Sequence, residues 1–82
     1  MTWNYRVIRR FYEGFGEKGY VYRIHEVYYS KEGEVNRCTK EAVFISGETL
    51  IELKADFDLY MKALTKPTLD YETLKEINDE ME

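Results

Sequence analysis

Eighty-two residues, 44% hydrophobic and 34% charged with a single proline, describe one folded domain and exclude a disordered or low-complexity segment. The lone cysteine, Cys38, rules out an internal disulfide and a cysteine-based zinc site. The longest apolar run, Ala42-Val43-Phe44-Ile45, falls far short of the ~20 residues that a membrane span requires. The net charge of −4 is unevenly divided: residues 1–45 hold eight Lys/Arg against six Asp/Glu, and residues 46–82 hold four against ten.

In chain order, Trp3 to Tyr12 carries the aromatic and β-branched residues of a strand. The alternation sets Trp3, Tyr5, Val7, Arg9 and Phe11 on an expected core face, with Asn4, Arg6, Ile8, Arg10 and Tyr12 opposite. Residues 13–19 hold three glycines and predict a hairpin loop. Tyr20 to Tyr29 is a second strand with large residues on both faces, of which Tyr20, Tyr22, Ile24, Glu26 and Tyr28 are expected to face the core. Ser30-Lys31-Glu32-Gly33 predicts a second turn, and a third strand follows from Glu34 to about Thr39 or Lys40. Residues 40–48 are expected to be an irregular link whose apolar members plug the edge of the core.

Thr49 followed by Glu52 forms a capping box, in which hydroxyl and carboxylate satisfy backbone donors at a helix start. The helix should begin near Leu50 and run to about Leu64, before Pro67 disfavours helical geometry. Leu50, Leu53, Phe57, Tyr60, Met61 and Leu64 keep to one side at 3.6 residues per turn and are expected to form its core face. A thinner stripe of Ile51, Ala55 and Leu59 falls roughly opposite and offers a contact seam for another protein chain. Asp70 is placed to cap a short C-terminal helix over 70–80, with Tyr71, Leu74, Ile77 and Met81 periodic. The expected fold is therefore α+β, a three-stranded antiparallel meander packed by one long helix and followed by a short one. It forms a single domain over 1–82 with its core in 3–64.

The motif Gly14-Phe15-Gly16-Glu17-Lys18-Gly19 matches G-x-G-x-x-G, but a dinucleotide site needs a helix after the glycines to hold the pyrophosphate, and here a strand follows. His25 and Glu26 are adjacent on a strand, so their side chains point to opposite faces and do not cooperate in acid–base chemistry. The single histidine provides one base for any triad, and no serine or cysteine is spaced to share it. No enzyme, cofactor or metal is expected. The remaining chemistry is basic: Arg6, Arg10, Arg23 and Arg37, with Tyr29, are expected on an open sheet face of the kind that holds single-stranded RNA.

The strings Trp3-Asn4-Tyr5-Arg6-Val7, Ile24-His25-Glu26-Val27-Tyr28-Tyr29 and Gly47-Glu48-Thr49-Leu50 together resemble a family of small uncharacterised bacterial proteins. The segment Gly47-Glu48-Thr49-Leu50-Ile51-Glu52-Leu53 is also similar to the helix start of HicB-like antitoxin domains, and this resemblance implies a three-stranded sheet packed by a helix. The chain departs from those antitoxins in its less alanine-rich helix and in lacking a short acidic, proline-containing segment after the second strand. These readings lead to the expectation of a small, non-enzymatic, cytoplasmic protein-interaction module, antitoxin-like, that binds a protein partner or self-associates through its open sheet face or through the seam of Ile51, Ala55 and Leu59. The alternative is nucleic-acid binding by the basic sheet face. No membrane segment or export signal is expected.

Overall fold

The computed structural model describes residues 2–14 and 17–77. Strand β1 spans Thr2–Gly14 and β2 spans Glu17–Tyr29, and the two pair antiparallel from Thr2↔Tyr29 to Gly14↔Glu17. Two of the residues read as a loop, Phe15 and Gly16, lie outside the described part, while both strands run further toward them than composition indicates. At the second turn, Ser30 and Glu34 pair through their backbones, and Gly33 takes φ +84°, a left-handed conformation that glycine adopts without steric cost. Strand β3, Val35–Cys38, then returns along the proximal end of β2.

Helix α1 spans Leu50–Ala63. Thr49 Oγ1 accepts from the Glu52 backbone N–H at 3.1 Å, as the capping box requires, although the Glu52 carboxylate reaches the amide of Glu48 at 3.0 Å instead of that of Thr49. The link before the helix lies against its first turns. Ser46 donates its amide to Asp56, and a Cβ on Gly47 would stand 2.4 Å from the backbone nitrogen of Leu53, so only glycine fits there.

Two expectations are corrected. Among the described residues, the three-strand meander with two helices gives way to a curled four-stranded sheet with one helix, in the order β3-β2-β1-β4. Strand β4, Leu69–Asp70, lies parallel to β1 through Ile8↔Leu69 and Arg9↔Asp70. Within the described part of the expected 70–80 helix, the Asp70 carboxylate accepts from the amides of Glu72 and Thr73 as a helix cap would. Leu74 then enters the left-handed region at φ +59° and turns the chain back, so that Asp70 pairs with Lys75 and Ile77 with Thr68. The long-range pairing with β1 overrides the local capping signal.

The second correction concerns the core. The odd-numbered side chains of β1 do share a face with the helix, but the most deeply buried cluster, Ile8, Val27 and Leu69, lies on the opposite face. There the curl of the sheet brings Tyr29, Val35, Cys38 and Tyr71 against it. Strand β2 is apolar on both sides, so its alternation could not identify the deeper one, and Leu69 joins this core from beyond residue 64.

Candidate interaction surface

Helix α1 rests principally on β1 through a narrow line of contacts. Tyr5 donates its hydroxyl to Asp56 at 2.8 Å, the rings of Tyr5 and Tyr60 meet edge to face at 5.4 Å, and Tyr60 donates to the carbonyl of Val43. Ala63 is the helix residue that is fully buried. Burial and the adjoining Asp56 carboxylate raise the Tyr5 phenol well above its ordinary range, and burial raises that of Tyr60, so both remain protonated donors.

Of the expected core stripe only Tyr60 packs on the sheet; Leu50, Leu53, Phe57, Met61 and Leu64 are between 37 and 65% exposed. The sheet takes Asp56 and Ala63 beside Tyr60, a set centred roughly a quarter turn from the rest of the stripe at ~100° per residue. The second stripe is open as well: Ile51, Ala55 and Leu59 are all exposed, and Ala55 and Leu59 line a cleft of about 540 Å³ that also reaches Tyr5, Glu26, Phe44 and Asp56. Two further depressions border the other stripe. One, of about 420 Å³, lies among Ile45, Leu53 and Phe57; the other, of about 500 Å³, lies among Val7, Tyr22, Leu64 and Pro67. The helix therefore carries apolar surface on both flanks, and periodicity alone missed which of its sides the sheet would take.

The structure separates the expected nucleic-acid residues. Arg6 is buried: it donates to the Tyr29 hydroxyl and to the Pro67 carbonyl, both at 2.8 Å, stands 3.8 Å from the Glu76 carboxylate, and leaves its buried Nε without a hydrogen-bond partner. Tyr29 in turn donates its hydroxyl to Asn4 Oδ1 at 2.8 Å. Arg10 lies 3.9 Å from the ring centre of Tyr71 and 5.2 Å from that of Tyr12. Arg23 stacks on Tyr12 and donates to its hydroxyl. The result is an alternating row of Arg23, Tyr12, Arg10 and Tyr71. Arg37 belongs to the other face, where its guanidinium covers Tyr28. The basic face expected to be open is thus closed around Arg6 and Tyr29 and keeps only Arg10 and Arg23 together.

Beside Arg6, His25 is 1% exposed, with its Nδ1 3.0 Å from the Thr39 carbonyl, which fixes that nitrogen as the protonated one. Desolvation lowers its pKa, and the nearby Arg10 and Arg23 add to the effect. On the opposite edge, Arg9 and Asp70 pair at 3.0 Å, and the Arg9 guanidinium holds the Asp70 carboxyl below its usual range. Among the described residues, no group of three His, Cys, Asp or Glu is placed to hold a metal ion, and no helix is long and apolar enough to cross a membrane. No protein-family model, curated protein or solved structure matches this chain.

Proposed function

We propose that this chain is a non-enzymatic protein-interaction module of the cytoplasm that works through the uncovered flanks of α1. The observation that carries the reading is the helix itself, which leaves seven large apolar side chains, Leu50, Ile51, Leu53, Phe57, Leu59, Met61 and Leu64, open to solvent. Fully burying a side chain of this kind contributes about 1.5–3 kcal/mol, so one helix holds ample driving force for a partner. The unpaired, half-buried Cys38 accords with a reducing compartment. The likeness of Gly47–Leu53 to HicB-like antitoxin domains agrees with a binding role, although the fourth, parallel strand departs from their three-stranded sheet.

A second reading, binding of RNA or single-stranded nucleic acid, is favoured by the Arg23, Tyr12, Arg10, Tyr71 row. It ranks below the first because those phenol faces already carry guanidinium groups and because Arg6 and Tyr29 are turned inward. Affinity capture from a lysate of the source organism, with and without nuclease, separates the two. The native chain is expected to recover a nuclease-resistant protein that is lost with Ile51→Glu/Leu59→Glu and kept with Arg10→Ala/Arg23→Ala. Nuclease-sensitive recovery lost with the arginine pair would overturn the protein reading.

A further inference from the structure

The uncovered residues of α1 are arranged with a symmetry that a single partner fits. Counted from Phe57, the exposed apolar positions of the flank opposite Ile51, Ala55 and Leu59 lie at −7, −4, 0, +4 and +7, that is, Leu50, Leu53, Phe57, Met61 and Leu64. At ~100° per residue they fall within about 80° of arc, so they form one straight ridge that reads the same in both directions. We infer that this ridge pairs antiparallel with its counterpart in a second copy of this chain, across a two-fold axis at Phe57. The inference rests on the interaction reading above and names the occupant of this one flank of the helix.

In that arrangement Leu50 meets Leu64 of the second copy, Leu53 meets Met61, and the two Phe57 rings meet on the axis. A closed two-fold interface requires this kind of self-complementary patch, in which residue i contacts j and j contacts i. The flanking charge agrees. Lys54 and Asp58 lie on the side of the ridge away from the sheet, and the two-fold sets each Lys54 about 3 Å along the axis from Asp58 of the other copy, at 1.5 Å rise per residue. Two equivalent ion pairs of opposite sign result, and parallel pairing does not produce them. The tyrosine that anchors the helix, Tyr60, remains on its own sheet.

The test is sedimentation velocity of the purified chain from about 1 to 100 μM, together with cross-linking. The native protein is expected to sediment as a dimer, and Phe57→Glu as a monomer with unchanged circular dichroism. Lys54→Asp is expected to weaken the dimer at least tenfold, and Lys54→Asp/Asp58→Lys to restore it, which guards against a variant that merely unfolds. For orientation, Leu50→Cys and Leu64→Cys are made separately on a Cys38→Ser background and treated with a short bismaleimide. Strong cross-linking is expected in the mixture and weak cross-linking in either variant alone. A native monomer at 100 μM, a dimer unmoved by Phe57→Glu, or Leu50→Cys linking mainly to itself would each overturn the inference. Nuclease-resistant capture still lost with Ile51→Glu/Leu59→Glu would then show that the interaction reading survives without self-pairing.

Discussion

At the scale of single residues, the buried His25 couples the fold to pH. It is enclosed between Thr39 and the Tyr71 ring, with Arg10 and Arg23 nearby, so the native state keeps its imidazole neutral, while the unfolded chain protonates it near the ordinary value of 6.5. A base whose pKa is lowered by folding binds fewer protons when native. Stability is therefore full above about pH 6.5 and declines as pH falls from there toward the native pKa. Urea unfolding between pH 7.5 and 5 should show the midpoint falling with acidity, and His25→Asn should flatten that slope. Asp70 acts at lower pH: Arg9 depresses its pKa, so the stability of that pair is full above the ordinary carboxylate range and is lost as pH falls from there through the native pKa. The two groups thus report on different windows.

At the scale of elements, the segment before the helix is a local device and was legible as one. Thr49 and Glu52 announced the helix start because capping chemistry depends on residues three apart, and the structure places them together. Gly47 completes the device by letting the link lie against the Glu52–Leu53 backbone. Gly47→Ala should therefore destabilise the fold by about 1–3 kcal/mol through overpacking, and Thr49→Ala should cost about 1 kcal/mol through the lost cap. Chemical denaturation of both variants measures these losses. Asp70 shows where local reading stops. It carries the same capping chemistry and uses it, yet its backbone belongs to a strand whose partner, Arg9, is 61 residues away. Nothing near Asp70 in sequence encodes that partner. The same limit applies to the interaction surface. Periodicity found both apolar stripes of the helix, but the side that the sheet covers is set by the long-range contact of Tyr60 with Tyr5, which takes this one member of the first stripe and leaves the others exposed. The basic residues were misplaced for a related reason, since the closing of the sheet around Arg6 depends on Leu69 and Pro67.

At the scale of the whole molecule, the buried centre is small. Ile8, Val27 and Leu69 are its fully enclosed members, and much of the remaining apolar surface lies outside on the helix. A chain of this size holds only a few kcal/mol of net stability from its own core. If pairing supplies the balance, the apparent melting temperature should rise with protein concentration for the native chain and stay constant for Phe57→Glu, as mass action requires. The parallel seam between β1 and β4 also governs the order in which this fold is made. During synthesis Ile8 leaves the ribosome early, but its cover, Leu69, is added 61 residues later, after the sheet's other strands and the entire helix have been translated. The nascent chain therefore carries the β1–β2 hairpin unroofed until β4 has been made, and closure waits for Leu69 to reach Ile8.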